Sequence, residues 1–396
     1  MLNVRYRTYV MTLCISLLFI QTYALALKSE INERNKEMQP PSAQPNRPQT
    51  PQGPFSYNQE NVCFENKTAQ VTLAGTLTLP QGTGPFPVVI LISGMGPNDR
   101  DYGMLGHKLF LVIADYITNN GIAVLRYDKR GIGKSTGIYS ASLTSQDFAE
   151  DAKVAVDYLK TRSDIDSKII GLLGHSEGGM IAQMIAAQTQ NISFVVLLAS
   201  AGLLTDVESI IEQTTCQLLA DGASPELIAE DKKIRRQLLE VVKEELDSNN
   251  AAEQMHKLLA DYWANLSELL QGEAARLPFA FTATKDDQFI RMFNSSWYRF
   301  FLNYNGADTL KQIIVPVLAL NGDCDFITSS QSSLPVIAKV LKESSNTDCT
   351  ILELPKLNHW FQECQTGALA EYGALEQTIS PMVLDIITKW IIEKTK

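Results

Sequence analysis

The chain has 396 residues, 45% of them hydrophobic and 20% charged, a globular composition long enough for one large core or a core with an insertion. A net charge of −10 with no basic cluster argues against a nucleic-acid partner. The lack of any repeat of fixed period argues against solenoids and propellers.

Residues 1–26 read as a segment apart from the fold. Arg5 and Arg7 precede an apolar run over 9–20, and Ala24-Leu25-Ala26 offers a small-residue cleavage site, the pattern of a signal peptide. Export to the periplasm or beyond is the expectation. An uncleaved membrane anchor is the alternative, disfavoured because Gln21 and Thr22 shorten the apolar run. No membrane span is expected in the mature chain. Cys14 lies inside the apolar run, which leaves Cys63, Cys216, Cys324, Cys349 and Cys364, in no zinc-binding spacing. Their odd number leaves at least one outside any intrachain disulfide in an oxidising compartment, and the spacing selects no pairing. Residues 27–54 read as a disordered spacer, since six prolines among Gln, Ser and Asn over 38–54 have little to bury. The folded part is expected from about Phe55.

Strands are expected at 71–79, 87–93, 122–127, 169–173, 194–199, 315–320 and 350–354, with helical periodicity at 108–118, 145–161 and 180–188. Continuous apolar strands alternating with helices predict an α/β fold: a mostly parallel central sheet with helices on both faces, formed by 55–200 and 311–396. Between these, 201–310 has only helical pattern. One helix should start at Ser224 with Pro225 as its first residue, and others should cover 251–270 and 286–302. The expectation is a helical cap inserted over the strand ends. Its aromatic residues Phe293, Trp297, Tyr298, Phe300 and Phe301 are available for packing or for lining a pocket.

The segment Gly174-His175-Ser176-Glu177-Gly178 follows the apolar run 169–173 and opens a helical pattern with Met180, Ile181, Met184 and Ile185 on one face. A G-x-S-x-G turn between a buried strand and a helix strains the serine backbone and exposes its hydroxyl beside the positive end of the helix, which points to Ser176 as a nucleophile. A nucleophilic serine needs a base. Of the four histidines, His256 lies in the cap, His107 begins a helix, and His175 is adjacent to the serine but on a turn that points it elsewhere. His359 follows the last expected strand, beside Trp360 and Phe361, and is the candidate. The orienting acid should follow another strand end, and Asn321-Gly322-Asp323-Cys324-Asp325 follows 315–320. Asp323 sits in the turn that Gly322 permits, whereas Asp325 is free to project toward the strand ends. For an oxyanion, the N–H of Glu177 supplies one donor. The glycine-rich loop 93–101 supplies the second, assigned to Met95, with Arg100 ordering the loop. Gly131-Ile132-Gly133-Lys134-Ser135 resembles the end of a phosphate-binding loop, but Asp128 stands where that motif requires glycine.

These motifs resemble the α/β-hydrolase superfamily over essentially all of 58–396. The order Ser176, Asp325, His359 matches that family's, as does a cap between the strand after the nucleophile and the strand bearing the acid. Ser-Gly-Met-Gly-Pro-Asn-Asp-Arg-Asp (93–101), Leu125-Arg126-Tyr127-Asp128-Lys129-Arg130-Gly131, the serine turn and Leu357-Asn358-His359-Trp360-Phe361-Gln362 are similar to a bacterial group of secreted serine esterases. That group is akin to the dipeptidyl-peptidase and acyl-CoA thioesterase branches. The resemblance also places the acid at Asp325, three residues after the glycine. One departure is Asn305-Gly306, which stands where an Asp-Pro often closes the cap. The implied activity is hydrolysis of a carboxylic ester through an acyl-enzyme, with neither metal nor cofactor required. The expected aromatic cap helices, enclosing a pocket of limited depth, make small-molecule esters with short acyl chains the expected substrates. The rivals are a thioesterase or peptidase with the same residues, or a catalytically silent binding protein.

Overall fold

A computed structural model describes residues 46–396 apart from 204, 278–279 and 345, so the expected signal peptide lies outside the described residues. Eight strands form one sheet: β1 (Asn58–Asn66), β2 (Val71–Leu79), β3 (Phe86–Ile92), β4 (Ala123–Tyr127), β5 (Ile165–His175), β6 (Phe194–Leu198), β7 (Val317–Gly322) and β8 (Cys349–Leu354). Their spatial order is β1-β2-β4-β3-β5-β6-β7-β8. The β1–β2 and β2–β4 pairings are antiparallel, and every pairing from β4–β3 through β7–β8 is parallel.

Successive side chains of a strand face opposite ways, so continuous apolar runs demand cover on both faces. On one face Val89, Leu91, Val124, Leu173, Val196 and Leu318 join a core with helices α1 (Leu109–Asn119) and α12 (Pro381–Lys394). Residues of the opposite parity, Val88, Ile90 and Leu172, are fully buried as well. There α2 (Ser145–Lys160) and α3 (Glu177–Gln188) pack on β3 and β5. Further on, α11 (Ser330–Glu343) packs on β7 and β8. The short α10 (Gly306–Leu310) is capped by Asn305, whose side chain accepts from Asp308 N–H at 3.2 Å, so the departure at Asn305 keeps a capping group.

Two expectations at the N-terminal end change. β1 was not foreseen, because only Val62, Phe64 and Asn66 face inward on an edge strand that is otherwise polar. Residues 46–54, within the expected disordered spacer, are tied to the core. The guanidinium of Arg47 donates to the carbonyls of Leu105 (2.8 Å), Gly373 (2.8 Å) and Leu375 (2.6 Å), and the Gln49 amide bonds Ile379 O and the N–H of Thr378. Residues 46–54 are held against the fold because these carbonyls have a cation to satisfy them.

A second compact unit comprises 205–304 with 368–371. Its helices are α4 (Val207–Ala220), α5 (Pro225–Glu244), α6 (Ser248–Asn265), α7 (Glu268–Ala274), α8 (Asp286–Phe293) and α9 (Ser296–Asn303). α5 starts where Ser224 and Pro225 place it, with Ser224 Oγ accepting from Leu227 N–H. The two long helices expected over 251–270 and 286–302 are each two. Ser267 and Ser295 sit inside those apolar patterns, and each accepts a backbone N–H as the cap of a new helix. Within this unit Leu218, Leu227, Ile228 and Leu277 form an apolar cluster, and the Arg235 guanidinium stacks over Phe281 at 4.5 Å. Phe289, Phe293, Tyr298 and Trp297 make successive ring contacts, so these aromatics pack on one another.

Arg47→Ala should lower the unfolding free energy by about 1–3 kcal/mol, the cost of leaving such carbonyls unpartnered. Urea denaturation of the purified variant and the parent checks this. A difference below about 0.5 kcal/mol would show that the N-terminal segment adds nothing to the fold.

Candidate active site

β5 ends at His175 and α3 begins at Glu177, with Ser176 between them at φ 56°, ψ −122°. A non-glycine residue rarely occupies that region, so surrounding bonds must hold it there. Ser176 N–H donates to Leu198 O at 2.9 Å, and Ser176 O accepts from Gly179 N–H (2.9 Å) and Ala201 N–H (3.0 Å). The flanking glycines are steric requirements: a Cβ on Gly174 would collide with the Gly178 carbonyl, and one on Gly178 with the Ile92 carbonyl. Tyr102, Ala199 and Phe361 also have positive φ, and all three lie in segments that border the serine or the histidine.

Asp325 and His359 meet. β7 ends at Gly322, and three residues later the Asp325 carboxylate is buried and accepts from Ile327 N–H (2.8 Å), Thr328 N–H (2.9 Å) and Thr328 Oγ1 (2.8 Å). His359 Nδ1 lies 2.8 Å from its Oδ2. An ionised carboxylate only accepts, so Nδ1 carries the proton and Nε2 presents its lone pair. Nε2 is buried and has no hydrogen-bond partner among the described residues, so the Ser176 Oγ–Nε2 bond is not made in this conformation. Asp323 has a different job: it is exposed and accepts from Lys356 N–H at 2.6 Å, bracing the loop that carries the histidine. That loop turns on Asn358, whose Oδ1 accepts from Trp360 and Gln362 N–H, both at 3.0 Å.

Both backbone groups of His359 are held. Its N–H donates to Tyr372 Oη (3.1 Å), and its carbonyl accepts from His175 Nε2 (2.8 Å). That acceptor assigns the His175 tautomer: Nε2 bears the proton and Nδ1 accepts from Tyr102 Oη at 3.2 Å. The two imidazole rings are 4.7 Å apart. Burial lowers the His175 pKa to about 3, with the neighbouring His359 adding to the shift. Sequence reasoning set His175 aside as pointing away from the serine. It does point away, into the backbone of the other histidine.

The loop after β3 lies against the serine. A Cβ added at Gly94 would stand 3.0 Å from Ser176 Cβ. The Gly94 carbonyl accepts from Lys129 Nζ and Asn98 Nδ2, each at 2.7 Å. Lys129 Nζ also pairs with Glu177 Oε2 at 3.1 Å, and Glu177 Oε1 accepts from Ser145 Oγ at 2.7 Å. Glu177 therefore contributes more than the backbone N–H expected of it, which sits at the positive end of α3. Burial lowers the Lys129 pKa, and Glu177 opposes the shift. Lys129 was missed because a charged residue between a strand and a glycine-rich loop reads as solvated. The available signals were its place two residues after the buried strand β4 and its membership of the segment 125–131 that carries the family resemblance. Arg100 orders its loop as expected, donating from Nε and Nη2 to Asp128 at 3.0 and 2.7 Å and from Nη1 to Gly75 O at 2.7 Å. The segment that resembles a phosphate loop wraps the same carboxylate, with Lys134 N–H on Asp128 Oδ2 at 2.9 Å. Among the described residues, no three His, Cys, Asp or Glu side chains gather in a way that could hold a metal ion.

An eight-stranded sheet in this order, with the serine at a strand-to-helix turn and the aspartate and histidine after its last two strands, defines an α/β hydrolase. Within that class the chain belongs to the family described as serine aminopeptidase S33 (Hydrolase_4), which residues 87–363 match. Among curated relatives, the chain is 37% identical over 145 residues to the esterase EstD of Thermotoga maritima, covering 36% of this chain and 34% of EstD. It is 33% identical over 81 residues to the thiohydrolase apmlB of Arthrinium phaeospermum, covering 20% of this chain and 26% of that protein. The chain thus spans about a third or less of these relatives' lengths. Similar solved structures include an esterase of Pyrococcus furiosus (TM-score 0.50, 14% identity) and a hypothetical protein of Pseudomonas aeruginosa (TM-score 0.52, 16% identity). Each match covers 90% of this chain and all of the other, a likeness of fold.

A histidine kept neutral by burial costs stability once the unfolded chain can take up its proton. The contribution of His175 is fully present above the ordinary histidine pKa near 6.5 and is lost as pH falls from there toward about 3. His175→Gln should therefore flatten the fall in unfolding free energy between pH 6 and pH 4 by up to about 1.4 kcal/mol per pH unit, the slope of one proton. Denaturant titrations of parent and variant at pH 7, 6, 5 and 4 test this, and parallel pH curves would contradict it.

Proposed function

We propose that the protein is a serine carboxylesterase that hydrolyses small carboxylic esters through an acyl-enzyme. The observation that carries this reading is the buried Asp325–His359 pair, with Nε2 unpartnered among the described residues, in the same unit as a serine on a strained turn. In the proposed reaction Ser176 Oγ attacks the ester carbonyl as its proton passes to His359 Nε2, and Asp325 stabilises the imidazolium. The N–H groups of Met95 and Glu177 hold the oxyanion. The imidazolium protonates the departing alcohol. Water, deprotonated by His359, then attacks the acyl-serine carbonyl. As the Oγ–acyl bond breaks, the imidazolium returns its proton to Ser176 Oγ and the carboxylic acid leaves. The esterase relative EstD supports this substrate class, and a preference for short acyl chains is part of the same proposal. We further propose that the enzyme works after export, on the strength of the N-terminal pattern alone. N-terminal sequencing of protein from the secreting host should then begin at Leu27.

A second reading has one specific support, since the matched family is described as serine aminopeptidase. Such an activity requires a site for a substrate α-ammonium. Amino-acid p-nitroanilides set beside p-nitrophenyl esters separate the two readings.

Ser176→Ala should cut turnover of p-nitrophenyl acetate by roughly a million-fold, as loss of a triad nucleophile does, and should abolish labelling by a fluorophosphonate probe. Retention of activity within about tenfold would rule out the assignment. Asp325→Asn should lose roughly four orders of magnitude while remaining folded. Asp323→Asn should stay active and lose about 1 kcal/mol of stability, and the reverse ranking would reassign the acid. Across a series of p-nitrophenyl esters, turnover should be greater at C4 than at C12 or C16. A maximum at long chains would show an open, lipase-like site.

A further inference from the structure

Outside the serine, histidine and aspartate, one buried cation stands out. Lys129 Nζ has three N–H groups and three surroundings to receive them: the Gly94 carbonyl at 2.7 Å, Glu177 Oε2 at 3.1 Å and the face of Phe148, 4.4 Å to its centroid. Two acceptors and a ring face are the environment of an ammonium, not of an amine with a lone pair to satisfy. Its side chain and that of Glu177 are 4% and 2% exposed, so this pair is out of water. A buried pair of this kind is weak as a stabilising device, because desolvation offsets most of the attraction. What it does is fix geometry.

The geometry in question is one peptide unit. The Gly94–Met95 bond is not among the cis peptides, so it is trans and the Gly94 C=O and Met95 N–H point in opposite directions. Lys129 Nζ and Asn98 Nδ2 both draw the carbonyl to one side. The Met95 N–H must then face the other way. Were that peptide to rotate, the carbonyl would turn toward any developing oxyanion and repel it. Glu177, at the far end of the same ion pair, directly follows Ser176 and begins α3.

We propose that Lys129 is a positioning residue for the oxyanion hole. By donating to the Gly94 carbonyl it locks the Gly94–Met95 peptide with Met95 N–H toward the reacting carbonyl oxygen. By pairing with Glu177 it ties that peptide to the turn that carries the second N–H. The inference rests on the reading of Ser176 as an esterase nucleophile.

The test uses the full-length enzyme and the variants Lys129→Met, Glu177→Gln and the double variant. The readouts are kcat and KM for p-nitrophenyl acetate and the inhibition constant of a trifluoromethyl ketone, which adds to a serine to give a tetrahedral oxyanion. Lys129→Met should lose about 10–100-fold in kcat, toward the cost of losing an oxyanion-hole donor. KM should stay within about threefold, and affinity for the ketone should fall in step with kcat. Because Lys129→Met strands a buried carboxylate and so threatens the fold, the decisive comparison is the double variant against Glu177→Gln, neither of which leaves a buried anion. The double variant should be lower in kcat and in ketone affinity by about the same 10–100-fold. Equal kcat in those two variants would overturn the proposal, leaving the lysine as a counter-charge only. So would a parallel rise in KM without loss of kcat. A parent enzyme that hydrolyses no ester and resists the fluorophosphonate would instead defeat the reading of Ser176, and that result is seen before any lysine variant is made.

Discussion

The site depends first on a steric constraint where three backbone segments meet. Gly174, Gly178 and the end of β3 at Ile92 pass so close that no Cβ fits between them. That closeness lets the chain reverse from β5 into α3 within one residue and forces Ser176 into a conformation it would not choose. The strain is held by the hydrogen bonds of Ser176 N–H to Leu198 O and of Gly179 and Ala201 N–H to Ser176 O. β6 therefore does more than neighbour β5. Its end clamps the turn, and Ala199 O lies 3.1 Å from Oγ1 of Thr328, the residue whose hydroxyl bonds Asp325.

Around that turn the polar groups are arranged backbone first. His359 is held by both its N–H and its carbonyl before its side chain does anything, through Tyr372 and His175. The Gly94 carbonyl is likewise held by a lysine and an asparagine. Such fixing matters because a hydrogen bond aimed at a transient charge works best when nothing need reorganise as that charge forms. Burial keeps His175 neutral, so it can donate at Nε2 and accept at Nδ1.

Much of this was legible in the sequence, for definite reasons. The parallel sheet shows because its strands are buried on both faces and so read as unbroken apolar runs. An aspartate and a histidine after the last two strands stand out because ligands of such sheets gather at the strands' carboxyl ends, and their side chains are 2.8 Å apart. What could not be read is what depends on distant partners. Lys129 meets a carboxylate 48 positions away, and His175 meets a carbonyl 184 positions away. Local pattern also misled where a serine hides within an apolar stretch. Ser267 and Ser295 break helices that periodicity joins, because a capping oxygen outweighs a continuous hydrophobic face at that point. β1 shows too little alternation to be seen without its partner β2.

The sheet order also sets when the chain could become competent. β8 pairs only with β7, at the edge of the sheet, and the segment after it carries His359. Parallel strands joined by long crossovers close slowly, because their contacts must wait for distant sequence. The strands that hold the serine turn, β3, β5 and β6, thus precede in the chain the residue proposed to take its proton. Any reactivity toward passing esters would be deferred until the segment after the final strand docks.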